Sequence, residues 1–406
     1  MALAGEVKTD TVLAFNLGSS SLKFSLFQFH LPMSGGGGGR ETLLARGEVE
    51  RIGTPGESFF WIRDAEGRLL ENTKGDHGGH EIAVKKVFSA LERLSLPGPR
   101  AVGHRVVHGG PRHASPAIID RQLLNELKEL IPFAPLHLPS EIKCMEAVAR
   151  HFPKIAQAAC FDTAFHRRMP ETAQRFPLPD FIWDAGVRRY GFHGLSYEHA
   201  VSALGEREGN LAGGRAIIAH LGNGASMAAV KNGMPMDTTM GFTPAGGFMM
   251  GTRSGDLDPG VLLYLMAEKG YDAGRIERLV NHEAGLLGVS GISPDMKTLL
   301  ESNDPRAALA VDMFCYQLRK HTGALAAALG GLDTFVFTGG IGERAAKIRR
   351  DVCAGMGHLG IRLAPPKNEA HSAVISTPDS PCAVLIIPAN EDLMIARHTF
   401  RLTGSA

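Results

Sequence analysis

The sequence predicts an α/β protein built from two domains of similar topology. Three observations carry that prediction. The chain has 406 residues, more than one hydrophobic core ordinarily serves. A strand, a small polar turn and a second strand occur twice, about half a chain apart, which is the mark of an internal repeat. Strand-like runs are also interspersed with segments of helical spacing.

The elements follow in chain order. Thr11 to Asn16 reads as a buried strand and Leu22 to Phe29 as its neighbour, joined by the tight polar turn Gly18-Ser19-Ser20-Ser21. Ser34 to Arg40 holds five consecutive glycines and reads as a loop that packs no core. Arg40 to Trp61 alternates like further sheet. His80 to Leu94 has helical spacing, with Ile82, Val84, Val87, Phe88 and Leu91 on one side. Near the middle, Ala216 to Leu221, the turn Gly222-Asn223-Gly224-Ala225-Ser226 and Met227 to Val230 repeat the opening pattern. Asn232-Gly233 then signals a hairpin into Met234 to Thr239. Asp333 to Phe337 is a short apolar strand running into a third glycine-rich turn, Thr338-Gly339-Gly340-Ile341-Gly342-Glu343. Cys382 to Ile387 is a last core strand, and Glu391 to Phe400 a docking helix capped by Asn390.

Composition narrows the function. Apolar residues make up 44% and charged residues 21%, the balance of a globular enzyme. The 43 basic and 42 acidic side chains nearly cancel, so no field of one sign invites nucleic acid or an anionic membrane, and an anion must be caught by a local site. Cys144, Cys160, Cys315, Cys353 and Cys382 are scattered and form no Cys-x-x-Cys pair, which argues against a disulfide framework or zinc. With no signal pattern and no apolar run of about 20 residues, a cytoplasmic location is expected.

The three glycine-rich turns suit anion binding, because glycine lets backbone N–H groups approach closely and hydroxyls bond phosphate oxygens. Asn16 to Lys23 adds an ammonium, although the Walker A spacing is absent. The turn His220-Leu221-Gly222-Asn223-Gly224 adds an amide, and Gly340 to Glu343 suits a purine or ribose laid on exposed backbone. Arg105 and Arg253 are each bracketed by small residues, which leaves room for a guanidinium to grip a carboxylate or phosphoryl group by two prongs. His137 and His193 are the candidate histidines, and Asp162 and Glu391 the candidate carboxylates. Each also has an ordinary structural use; Glu391 complements a helix dipole.

Taken together and in order, these motifs resemble the acetate kinase family, within the acetate and sugar kinase, Hsp70 and actin superfamily. The resemblance rests on Asn16-x-Gly18-Ser19-Ser20-Ser21-x-Lys23, Gly103 to Gly110, Phe161-Asp162-Thr163-Ala164-Phe165-His166 and Tyr190-Gly191-Phe192-His193-Gly194. It continues through His220 to Ser226, Met250 to Pro259, Phe337 to Glu343 and Asn390 to Arg397. It implies two similar actin-like ATPase (ribonuclease H-like) domains with a cleft between them, residues 1–163 plus 389–406 and residues 164–388.

The implied activity is reversible transfer of the ATP γ-phosphoryl group to acetate, giving acetyl phosphate and ADP, in a homodimer. Asn16 and Glu391 would help hold Mg²⁺, with Mn²⁺ the alternative ion, and Lys23 would lie near the phosphates. Arg105 would contact the carboxylate, Asp162 would be the acidic catalytic residue, and His193 and Arg253 would stabilise the transferring group. His220, Leu221, Gly222, Asn223 and Gly224 would touch the phosphates. Asp295, Met296 and Lys297, with Gly340, Ile341, Gly342, Glu343 and Arg344, would frame the adenosine. Val107, Leu136, Phe192 and Pro244 would surround the substrate methyl, with His137 on the same substrate side. The chain departs from the family pattern at Leu138, at Arg344 and at Ala245-Gly246. A propionate or butyrate kinase, and a nucleotide-driven switch of the Hsp70 or actin type, are the alternatives.

Overall fold

The computed structural model describes residues 9–18, 20–30, 40–53, 57–75, 79–206 and 213–404. Ser19 of the first turn and residues 34–39 of the glycine loop lie outside the described residues. The chain divides into two compact units, Met1–Ala164 with Asn390–Ala406, and Phe165–Ala389.

The first unit carries an eight-stranded sheet. Its strands are β1 (Thr9–Leu17), β2 (Ser21–His30), β3 (Arg40–Glu50), β4 (Ser58–Asp64), β5 (Leu69–Gly75), β6 (Ala101–Val106), β7 (Ala117–Ile118) and β8 (Ala156–Phe161). They lie in the order β5-β4-β3-β2-β1-β6-β8-β7. β1 runs antiparallel to β2, with Asn16 opposite Lys23, and parallel to β6. Alternation along the strands sends Leu13, Phe15, Phe24 and Val102 into a core closed by Val84, Val87 and Val148 of the helices His80–Arg93 and Leu138–His151. The other face receives the helix Glu391–Thr403, which lies against β1, β6 and β8 and buries Ile395 and Ala396. Asn390 caps that helix by accepting from the Leu393 N–H at 3.2 Å.

The second unit carries β9 (Arg215–Leu221), β10 (Ala225–Lys231), β11 (Met234–Thr238), β12 (Thr334–Thr338) and β13 (Ala383–Ile386), in the order β11-β10-β9-β12-β13. β9 is antiparallel to β10 and parallel to β12, and β12 is parallel to β13. The same five-strand plan, β3-β2-β1-β6-β8, runs through the first sheet, so the sequence repeat is a repeat of topology. Tyr197, Ala200 and Leu204 of the helix Gly194–Gly205 pack on Ile218, Val336 and Leu385.

Two of the differences from the sequence expectation lie in the second unit. The third glycine-rich turn is a helix, Gly339–Arg344. Gly339 enters it at φ +77°, and a Cβ there would lie 2.8 Å from the Leu221 carbonyl oxygen, so only glycine lets the helix start against the end of β9. The helix Pro305–Leu329, capped by Asp304 and ended by Gly330 in the left-handed conformation, has no counterpart among the expected elements. Among the described residues no helix is long and apolar enough to cross a membrane.

Candidate active site

In the first unit the site begins where β6 ends. Arg105 Nε and Nη2 both donate to Asp162 Oδ2, at 2.9 and 2.5 Å, and Nη1 donates to the Leu17 carbonyl at 3.4 Å. Asp162 is 0% exposed and its N–H donates to the Val106 carbonyl at 2.9 Å. Burial opposes the charge on Arg105, yet the nearby carboxylates of Asp162 and Glu391 outweigh it and hold the guanidinium above its usual pKa. Arg105 is thus a permanent cation whose orientation is set by a buried acid.

Beside this pair, Asn16 Nδ2 donates to Glu391 Oε2 at 2.9 Å. Ser25 Oγ donates to Asp392 Oδ2 at 2.6 Å. Burial raises the Asp392 pKa, with Ser25, Asn16 and Lys23 opposing it. Lys23 itself is exposed and sits across the ladder from Asn16 and Glu48. This corner therefore offers few donors, and they are amide and carboxylate oxygens. That set fits Mg²⁺, which prefers hard oxygen ligands, keeps several waters and is commonly shared with substrate phosphates.

In the first unit the residues expected beside the substrate are Val107, Leu136 and His137. Val107 is buried next to Arg105. Leu136 is 44% exposed, and His137 precedes the helix Leu138–His151 as its N-terminal flanking residue. Leu138, one of the departures from the family pattern, is fully buried in the core.

In the second unit three elements meet at one turn. His193 adopts φ +58° ahead of the helix Gly194–Gly205. Its ring stacks on His220 with centroids 4.3 Å apart, and its Nδ1 lies 2.9 Å from Ser226 Oγ. Ser226 Oγ is in turn 2.5 Å from the Tyr197 hydroxyl, while His220 Nδ1 lies 2.8 Å from Ser196 Oγ. These bonds fix both rings and aim His193 Nε2 at the turn. A Cβ on Gly224 would stand 3.3 Å from His193 Nε2 and 3.4 Å from Arg253 Nη1. Glycine therefore keeps clear the spot where an imidazole and a guanidinium converge. Arg253 Nη1 also donates to the Pro244 carbonyl at 3.2 Å. Phe192 is buried and accepts from His166 through its carbonyl at 2.9 Å.

The same turn forms one wall of a cavity of about 750 Å³, lined by Gly222, Asn223, Pro294, Asp295, Met296, Lys297, Leu300, Gly340, Ile341, Arg344 and Ala345. Its size suits a nucleoside, and exposed Lys297 and Arg344 give it positive charge. Asp295 caps the helix Met296–Glu301 through Thr298, so its carboxylate is already engaged. Leu221 and Gly342 are not among the lining residues; Gly339 packs close on Leu221, and Gly342 on Phe337. Glu343 accepts from the Ala389 N–H at 2.9 Å and so anchors the chain after β13. Sequence reasoning missed Pro294, Leu300 and Ala345 in the wall, the Ser196, Tyr197 and Ser226 hydroxyls, and Glu141 and Asp392. Of these, Ser226, which closes the polar turn from Gly222, and Asp392, adjoining Glu391 in an Asn-Glu-Asp run, carried a local signal.

The sequence profile of the Acetokinase family matches residues 11–397. The chain is 46% identical over 400 residues to an acetate kinase of Rhodopseudomonas palustris, covering 97% of this chain and 98% of that one. Among solved structures, it matches the acetate kinase of Porphyromonas gingivalis at 41% identity with a TM-score of 0.85, over 97% of this chain and 99% of that chain. It matches a propionate kinase from Francisella tularensis at 32% identity with a TM-score of 0.87, over 97% and 100%. The two-sheet architecture is that of these kinases, the two-domain actin-like ATPase fold.

Proposed function

Because the chain belongs to the acetokinase family, we propose that it transfers the γ-phosphoryl group of ATP to acetate, reversibly, giving acetyl phosphate and ADP. The observation that carries this reading is the convergence of His193 Nε2 and Arg253 Nη1 on Gly224, at the edge of a nucleoside-sized cavity that shares the Gly222-Asn223 turn. A phosphate chain leaving such a cavity along that turn would meet both donors.

Acetate is ionised at neutral pH, so its oxygen is a ready nucleophile and no base has to remove a proton. The barrier lies in bringing two anions together. Catalysis is therefore mostly charge neutralisation and in-line alignment. Arg105 binds the carboxylate as a fixed cation, because Asp162 accepts from two of its nitrogens. Asp162 orients that guanidinium and does not serve as a base. Arg253 and His193 donate to the equatorial oxygens of the transferring group. His193 keeps its direction through Ser226 and Tyr197. Asn16 and Glu391 would hold Mg²⁺, with Mn²⁺ as the alternative, and the ion would neutralise phosphate charge when bound. Lys23 lies on the same corner.

Acetate is favoured over longer acids because Val107, the residue expected at the substrate methyl, is a buried branched side chain and overfilling such a site is costly. A homodimer is supported by the helix Pro259–Lys269, which exposes Val261, Leu263 (66%), Tyr264 and Met266. A cytoplasmic setting, where ATP and acetate meet, fits the same reading.

The test is ATP plus acetate with hydroxylamine as trap. Acyl hydroxamate forming well above the rate of ATP hydrolysis supports the kinase. Hydrolysis without hydroxamate would overturn it in favour of a nucleotide switch.

A further inference from the structure

Glu141 is a buried acid that the reaction described above does not use. It is 2% exposed, in the first turn of the helix Leu138–His151. Its Oε2 and Oε1 accept from the Val107 N–H at 3.1 and 3.3 Å. Its own N–H donates to the His137 carbonyl at 3.2 Å. One residue thus ties Val107 to the segment that carries Leu136 and His137.

The need for this tie follows from the backbone. β6 ends at Val106, where its pairing with β8 ends opposite Phe161. The Val107 N–H is buried and is the first donor beyond the ladder, and a buried donor left without an acceptor costs about 1–3 kcal/mol. On either side the segment is fastened by other groups. Val106 accepts from the Asp162 N–H at 2.9 Å, and the Gly109 N–H donates to Thr163 Oγ1 at 3.0 Å. Glu141 supplies the remaining fastening.

An acid is an unexpected choice beside a site that must attract anions. Here burial, partly offset by Arg105, pushes the Glu141 carboxyl up to about 8. It therefore stays protonated at neutral pH, accepts from Val107 through its carbonyl oxygen, and adds no negative charge to compete with the substrate for Arg105.

We propose that Glu141 is a positioning residue for substrate selection, holding the Val107 main chain so that its side chain limits the length of the acid. This rests on the acetate kinase reading given above.

The test compares Glu141→Gln with Glu141→Met by steady-state kinetics on acetate and propionate. Glutamine keeps a neutral acceptor of the same shape, so its KM for acetate and its acetate-to-propionate ratio of kcat/KM stay within about twofold of the parent. Methionine keeps the volume and removes the acceptor. One methylene is worth roughly 10–200-fold in such a pocket, and loosening the wall should cut the ratio about fivefold or more. KM for acetate rises while KM for ATP is unchanged. Val107→Ala serves as the positive control for a widened pocket. If Glu141→Met is too unstable to assay, Glu141→Ala at reduced temperature replaces it, with circular dichroism as the check of folding. A folded acceptor-less variant with parental ratio and KM overturns the Glu141 proposal alone. A parent protein that makes no hydroxamate from any acid overturns the kinase reading instead, so the two failures are distinct.

Discussion

Removing the Asp162 carboxylate should damage both stability and turnover, by amounts the geometry sets. Arg105 gives two donors to one Asp162 oxygen, and the acid is fully buried. Deleting one member of such a pair costs about 3–5 kcal/mol, because the remaining charge keeps its burial and loses its partner. Glu391 still acts on the guanidinium, so the expected loss for Asp162→Ala is at the low end, about 3 kcal/mol. Asp162→Asn keeps an acceptor of the same shape and exchanges charge-assisted bonds for neutral ones, a loss of about 1 kcal/mol per bond and about 2 kcal/mol for both. The assay is urea unfolding followed by fluorescence in a Trp183→Phe background, where Trp61, in β4 of the first unit, is the remaining indole. Turnover should fall further than stability implies, since misplacing a reacting group by about 1 Å can cost about 10²-fold. An Asp162→Ala protein within 0.5 kcal/mol, roughly, of its parent, or an Asp162→Asn protein with parental kcat, would refute the idea that this acid orients Arg105.

Three further outcomes follow from the same structure. Arg253→Ala should lower kcat by about 10³ or more, the scale of an arginine that stabilises a transferring phosphoryl group, with an unchanged circular dichroism spectrum; a variant keeping a tenth of parental kcat, or roughly that, would remove Arg253 from the reaction. Glu391→Ala should raise the Mg²⁺ concentration for half-maximal rate and change stability by only about 1 kcal/mol, the value of a charge at a helix terminus, so an unmoved Mg²⁺ titration would leave Glu391 a helix-capping acid only. The folded chain holds a proton on Glu141 up to a pKa of about 8, beside Arg105 and Asp162, whereas the unfolded chain releases it near the ordinary 4.5. Between those values the folded state binds more protons, so this group's contribution falls as pH rises, by up to about 1.4 kcal/mol per pH unit. Glu141→Gln should therefore be more stable relative to the parent at pH near 8 than at pH near 5 in urea titrations, and parallel curves would contradict the buried protonated acid.

Much of the fold was legible because its signals are local. Thr11 to Phe29 and Ala216 to Val230 are hairpins whose alternation and polar turns stand out in a single stretch of sequence, and β1, β2, β9 and β10 lie there. The segment Gly339–Arg344 misled because three glycines suggest a turn, whereas the packing of Gly339 on Leu221 starts a helix. The helix Pro305–Leu329 buries Ala307, Ala310 and Ala326 among its larger core residues, and alanines give a weak apolar stripe. In the site, charged residues inside glycine-rich stretches were visible as candidates. Their partners were not: Ser226 holds His193 from 33 residues away, and Glu141 reaches Val107 from 34. Such pairings depend on which strands become neighbours, and spacing along the chain carries no record of that.

The most direct measurement of the central claim is ATP formation from ADP and acetyl phosphate, followed by luminescence alongside loss of acetyl phosphate. Direct reversible transfer predicts one ATP for each acetyl phosphate consumed, formed about 10³-fold more slowly when Arg253 is replaced by alanine. Acetyl phosphate disappearing without ATP, or ATP appearing at the same rate in the Arg253→Ala protein, would contradict the account.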